Sequence, residues 1–155
     1  MSTPEESSIE NRAELPAVIN ELYGKFGESS FVRQHTAEGM PTLWVGRNKL
    51  LDVLRFLRDD YTPRFEMLLD VTAIDERIRV HREGQPDSAF TVVYHLMSFS
   101  GNCDIRLKVA LPENDQNIPT VISLWPAANW HEREMWDMFG INVEGHPNLS
   151  RIYCP

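Results

Sequence analysis

Two neighbouring stretches of strand-like sequence constrain the fold of this chain more than any other feature. Asp104–Leu111 (DIRLKVAL) alternates polar and apolar residues, which predicts a strand with one buried face. Phe90–Phe99 (FTVVYHLMSF) is rich in the β-branched and aromatic residues that favour strands. The short connection Ser100–Asn102 joins them, and a tight turn can join strands only in an antiparallel pair. The sequence therefore predicts an antiparallel pair at the centre of a sheet.

The rest of the chain supplies further strands and three helices, recognised by apolar residues spaced along one helical face. The predicted order is α-β-β-α-β-β-β-α. It indicates an α+β two-layer sandwich, in which helices pack on a mixed, mostly antiparallel sheet. The remaining predicted elements are helices at Glu14–Phe26, Asn48–Asp60 and Trp130–Phe139, and strands at Phe31–Thr36, Pro41–Val45 and Phe65–Val80. We expect a disordered lead-in over residues 1–11 and a single domain over residues 12–155.

Composition excludes several classes of function. The 155 residues are 42% hydrophobic, which is enough for one domain with a core. The net charge of −8 argues against a nucleic-acid partner, because such binding needs a basic surface. No apolar run reaches the roughly 18 residues of a membrane span. The polar start, MSTPEESSIE, lacks the features of a signal peptide, so we expect a cytoplasmic chain.

Cofactor and catalytic motifs are absent from the sequence. Cys103 and Cys154 cannot supply the four thiolates of an iron–sulfur cluster, and their separation fits no zinc motif. A reducing compartment favours two free thiols over a disulfide. The glycine patterns of dinucleotide sites, P-loops and hydrolase nucleophile elbows do not occur. We therefore expect no catalytic residue, cofactor site or metal site in this chain.

The densest run of charge, residues 129–152 (NWHEREMWDMFGINVEGHPNLSRI), still resembles an active site at first inspection. Asn129 and Glu132 have the spacing of a capping box, and Gly140 stands where a helix often ends. A helix between them separates two sides at 100° per residue. One side carries Glu132, Met135, Trp136 and Phe139, and the other carries Trp130, Arg133, Glu134 and Asp137.

Three functional interpretations of this helix can be compared. A zinc peptidase would need a second histidine four residues after His131, and Met135 stands there, so we reject it. A carboxylate acid–base pair could join Glu134 to Asp137 or Glu132, but residues on one turn reach opposite sides of a bond poorly. A polar face that docks a partner protein is the third interpretation. Composition alone does not separate such a face from a solvated one.

The same segment resembles the signature of a known family. EREMWDMFGI, then GHP, then RI, is similar to the signature of the C subunit, or 30 kDa subunit, of respiratory complex I (the proton-pumping NADH:quinone oxidoreductase). The similarity extends over about residues 12–155 and is nearest to bacterial forms in which the C and D subunits are fused. The matching positions are Glu132, Arg133, Glu134, Asp137, Met138, Phe139, Gly140, His146, Pro147 and Arg151.

This resemblance implies a non-catalytic scaffold in the peripheral arm, on the cytoplasmic side of the bacterial inner membrane. Its partners would be the D subunit, which shapes the quinone site, and neighbouring iron–sulfur subunits. The holoenzyme would use FMN, iron–sulfur clusters, NADH and quinone, and would couple electron transfer to proton translocation. The signature residues, from Glu132 to Arg151, would then be interface and structural elements. Family members usually continue past the RI position, so we expect a fragment of a longer chain.

Two alternatives remain open on the sequence. The homologous subunit of a membrane-bound nickel–iron hydrogenase or formate hydrogenlyase resembles the same module. An independent hydrolase that uses Glu132 and Glu134 belongs to a different class of function.

Overall fold

A five-stranded sheet forms around the predicted central pair, in a computed structural model that describes residues 15–78 and 85–150. The strand order is β1-β2-β5-β4-β3. The β2–β5 pair is parallel and the other three pairs are antiparallel. The strands are β1 (Phe31–Arg33), β2 (Thr42–Val45), β3 (Met67–Asp75), β4 (Phe90–Ser98) and β5 (Cys103–Leu111).

Two short strands that the sequence did not predict form a separate parallel pair. They are β6 (Asn117–Pro119) and β7 (Asn142–Glu144), and Ile118 lies opposite Val143 in their register. Both of these side chains are buried. Three residues are too few for a readable alternation, which explains why sequence patterning misses them.

Three α-helices complete the described part of the chain: α1 (Ala17–Phe26), α2 (Leu50–Arg55) and α3 (Ala128–Phe139). A π-helical turn, Phe56–Asp60, continues from α2, so the predicted second helix is regular only in its first part. A 3₁₀ turn at Glu28–Ser30 follows α1. None of the helices in the described ranges is both long and apolar enough to cross a membrane.

The core lies between one face of the sheet and the helices. On this face β5 buries Ile105, Leu107 and Val109, as its alternating sequence predicts. Helices α1 and α2 contribute the buried side chains of Ile19, Leu22, Leu50, Val53 and Leu54 to the same apolar cluster. The predicted two-layer α+β architecture is therefore confirmed.

Most element boundaries differ from the predicted ones by a few residues. The predicted strand Phe31–Thr36 ends at Arg33, because the chain turns at Gly39, where the Gly39 N–H donates to the Thr36 carbonyl. The predicted strand Phe65–Val80 begins at Met67, and its residues 79–80 lie outside the described ranges. The predicted lead-in, residues 1–11, also lies outside them.

Candidate functional site

Helix α3, which carries the charged segment, begins earlier than predicted. The Ala128 N–H donates to the Trp125 carbonyl at 3.0 Å, and the Asn129 N–H donates to the Pro126 carbonyl at 3.1 Å. These bonds place Asn129 inside the first turn, and no side chain caps the helix. The predicted capping box is therefore wrong, since a capping residue must precede the helical turn.

The Glu132 side chain does not cap the helix but binds the preceding loop. Its side chain is only 1% exposed, and both carboxylate oxygens accept hydrogen bonds from the loop that precedes α3. Oε1 accepts the Val121 N–H at 2.7 Å, and Oε2 accepts the Thr120 hydroxyl at 2.6 Å. Burial raises the pKa of Glu132, and the two hydrogen bonds oppose this rise. The carboxylate thus ties the loop to the helix.

The turn that contains His146 and Pro147 folds back onto the start of α3. The His146 side chain is 0% exposed, and its Nε2 lies 3.4 Å from the Asn129 carbonyl oxygen and 4.0 Å from Glu132 Oε2. Its Nδ1 accepts the Asn148 N–H at 3.0 Å, which leaves Nε2 as the ring nitrogen that can donate. The structure thereby brings together the two halves of the signature, which are separate in sequence.

Arg133 connects α3 to the end of the described chain. Its Nε donates to the Ser150 carbonyl at 3.4 Å, and its guanidinium carbon lies 5.8 Å from the centre of the Trp130 ring. Such a cation–π contact contributes about 0.5–1 kcal/mol at an exposed site. Arg133 therefore orders both a side chain of the outer face and the segment that leads to residue 151.

The inner side of α3 is fixed against β3 and β4. Met135 is buried, and the ring of Phe139 meets the ring of Phe90 edge-on at 6.5 Å. His131 Nδ1 lies 3.3 Å from Asp70 Oδ1 on β3. Gly140 ends the helix with φ 73° and ψ 14°, as predicted, and its N–H donates to the Trp136 carbonyl at 2.9 Å.

The outer side of α3 combines charge with exposed apolar surface. Trp130 is 50% exposed and Met138 is 59% exposed, while Glu134 and Asp137 are partly exposed. Trp130, Glu134 and Met138 are spaced four residues apart, so they form one line along the helix, which we call the outer stripe. Helical spacing predicted Trp130 on this side, but it assigned no role to its apolar area or to that of Met138.

Two signature positions remain, Pro147 and Arg151. Pro147 is exposed beside His146, and Arg151 lies outside the described ranges. Within the described ranges, no group of three or more His, Cys, Asp or Glu side chains is placed to hold a metal ion. The arrangement is suited to presenting a fixed helix face, with Glu132 and His146 as internal supports.

Comparison with known families identifies this arrangement. Residues 43–155 match the family described as "Respiratory-chain NADH dehydrogenase, 30 Kd subunit". This chain belongs to that 30 kDa family. The match includes every signature position from Glu132 to Arg151 and confirms the resemblance seen in the sequence.

Relatives of this 30 kDa domain are longer proteins. It is 57% identical over 141 residues to the C/D subunit of NADH-quinone oxidoreductase from Psychrobacter cryohalolentis, and the match covers 91% of this chain and 24% of the relative. Over all 155 residues it is 53% identical to the C/D subunit from Acinetobacter baylyi, and this match covers 26% of that protein. The chain thus spans about a quarter of the length of these relatives.

Solved structures with the same fold include a trypsin-resistant fragment (1–134) of Nqo5. The TM-score is 0.70 at 25% identity, and the match covers 85% of this chain and 99% of the fragment. A chain of an archaeal membrane-bound sulfane sulfur reductase gives a TM-score of 0.68 at 23% identity, covering 88% of this chain and 74% of that chain. The second likeness shows a shared fold only.

Proposed function

We propose that this 30 kDa domain is a non-catalytic scaffold of an NADH-quinone oxidoreductase, and that it docks on the D portion of that enzyme. One observation carries the proposal. Relatives that are 50–57% identical over 89–100% of this chain are named as C/D subunits, so C and D sequences share one polypeptide in those proteins. A domain tethered to its partner meets it at a high effective concentration.

The geometry of the signature supports a scaffold role. A catalytic carboxylate needs contact with a substrate, whereas Glu132 is buried with both oxygens occupied by the Thr120 and Val121 donors. Rigid helices held by internal hydrogen bonds make precise docking surfaces. In this proposal FMN, iron–sulfur clusters, NADH and quinone are bound by partner proteins. The domain would lie in the peripheral arm, on the cytoplasmic side of a bacterial inner membrane.

Purification of the intact assembly tests the proposal. An affinity tag on this chain in the organism that encodes it, followed by mild detergent extraction, should recover separate iron–sulfur subunits together with NADH-dependent quinone reduction. Mass spectrometry identifies the proteins. Recovery of a large subunit with paired nickel-binding cysteines would instead indicate a hydrogenase, and recovery of the chain alone would contradict the scaffold role.

A further inference from the structure

We propose that the outer stripe of α3, formed by Trp130, Glu134 and Met138, is the surface on which the D portion docks. This inference rests on the proposed function and specifies the contact that it requires. The outer stripe places two large apolar side chains on either side of one carboxylate.

The outer stripe exposes two large apolar side chains on one helix face. Trp130 and Met138 are 50% and 59% exposed on a helix whose opposite side is buried. Tryptophan is enriched among the residues that dominate binding energy at protein interfaces, and methionine is enriched in interfaces generally. A partner that covers both would remove from water apolar area that the isolated domain leaves exposed.

The outer stripe is held in place before any partner arrives. On the side of α3 opposite the outer stripe, Glu132 holds the N-terminal half of the helix to the preceding loop through the Thr120 and Val121 donors. The guanidinium of Arg133 lies over the ring of Trp130, with its carbon 5.8 Å from the ring centre. Pre-organised side chains lose less conformational entropy on binding, which favours this surface over a mobile one.

The course of the polypeptide points to the D portion as the occupant. Ser150, the last described residue, is held by Arg133, so the described chain ends beside the helix that carries the outer stripe. In the relatives, about three quarters of the C/D chain lies outside the matched region. A tethered portion of that size meets an exposed apolar surface of the same polypeptide at high effective concentration.

A second exposed apolar site provides a matched comparison. Phe99 is 62% exposed at the end of β4, where its N–H is bound by the Glu66 carboxylate at 2.8 Å. It is at least as exposed as Trp130 but lies beside the sheet and not on α3. Val32, 43% exposed on the edge strand β1, is a further comparison site.

Site-specific photo-crosslinking in the assembled enzyme tests the inference. The photoreactive residue p-benzoylphenylalanine would replace Trp130, Met138, Phe99 or Val32 in turn, and peptides crosslinked in the purified complex would be sequenced by mass spectrometry. We expect crosslinks to D-portion peptides from positions 130 and 138 only. Crosslinks to the D portion from Phe99 or Val32, with none from the α3 positions, would overturn the inference.

Alanine variants supply a second measurement that does not depend on the crosslinker. The double variant Trp130→Ala/Met138→Ala should reduce recovery of the assembled complex at least about tenfold. Phe99→Ala should leave recovery unchanged, and the fold of each domain is checked by circular dichroism. Unchanged recovery for the double variant would overturn the docking surface and leave the scaffold function intact. Absence of iron–sulfur subunits from the wild-type preparation would instead overturn the proposed function.

Discussion

At the scale of single residues, Glu132 shows how burial changes the meaning of a charged motif. A run such as HERE can be read from sequence as chemistry, capping or surface charge, because all three use the same residue types. The structure selects none of these for Glu132, since its oxygens are occupied by Thr120 and Val121. These donors come from a loop whose position depends on tertiary contacts, so local sequence rules could not have identified them.

The titration of Glu132 gives a prediction for the variant Glu132→Gln. Burial raises the pKa of Glu132 above its ordinary 4.5, so the folded chain binds this proton more tightly than the unfolded chain. The resulting stabilisation is complete below the unfolded pKa and is lost as the pH rises through the folded pKa. Glutamine does not titrate, so the variant should gain free energy of unfolding relative to the wild type as the pH rises from below the unfolded pKa through the folded pKa of Glu132. Urea unfolding at several pH values measures this difference.

Glu66→Gln is the matched control, because the pKa of Glu66 is shifted in the opposite direction. Hydrogen bonds from the Ser100 hydroxyl and the Phe99 N–H lower the pKa of Glu66. Its contribution is present above the unfolded pKa and is lost as the pH falls, so the wild type's advantage over Glu66→Gln should shrink in acid. If the free energy of unfolding of Glu132→Gln differed from that of the wild type by the same amount at every pH, burial would not raise the pKa of Glu132.

At the scale of elements, helix α3 was predicted in type and end but not in its start. Apolar spacing and Gly140 are local signals, and both are confirmed. The start depends on the turn at Trp125 and Pro126, which continues directly into the helix. A favourable capping residue such as Asn129 is overridden when the preceding residues already adopt the helical turn. Burial of the His146 ring was likewise unpredictable, because it depends on where the following turn lies.

Two glycines allow the end of α3 to be tested against a matched substitution in α1. Gly140 has φ 73° and Gly24 lies within α1, and an added Cβ would meet no heavy atom within 4 Å at either position. Gly140→Ala should therefore cost about 1 kcal/mol from backbone strain alone. Gly24→Ala should stabilise by about 0.5–1 kcal/mol, because alanine loses less entropy in a helix. Thermal unfolding that shifts in the same direction for both would contradict this account.

At the scale of the whole molecule, the sheet shows which features lie beyond sequence patterning. The antiparallel β4–β5 pair was predicted, because a tight turn joins two strand-like stretches. The parallel pairing of β2 with β5 was not, since Leu43 and Leu107 are neighbours in the sheet but lie far apart in the sequence. Alternation shows which residues face inward, but it does not show which strands are neighbours.

Arg47 is one of the contacts that join distant parts of the chain. Its Nη1 donates to the Asn117 carbonyl at 2.8 Å and the Asp115 carbonyl at 3.2 Å, and its Nη2 donates to the Asp115 carboxylate at 2.6 Å. The contact also lowers the pKa of Asp115. It fixes the connection between β2 and α2 to the segment that enters β6.

The variant Arg47→Lys tests how much this contact contributes to the free energy of unfolding. A lysine retains the charge but cannot reproduce the planar fork of donors, so we expect a loss of about 1 kcal/mol in the free energy of unfolding for this partly exposed group. Arg55→Lys is the control, because Arg55 forms an exposed pair with Asp52 at 3.7 Å. That change should remain within about 0.5 kcal/mol by urea unfolding. If both variants lost the same free energy of unfolding, the effect would come from replacing any arginine by lysine and not from the contacts of Arg47.

The two outer strands of the sheet also bear on the tendency of the domain to aggregate. Strand β1 has only three residues, and strand β3 is flanked by α3. Exposed, long strand edges recruit strands from other molecules and lead to aggregation. Strand β1 is too short to serve as such a template, and β3 has α3 packed against it. Removal of α3 would expose β3, and the expected consequence is aggregation of the domain.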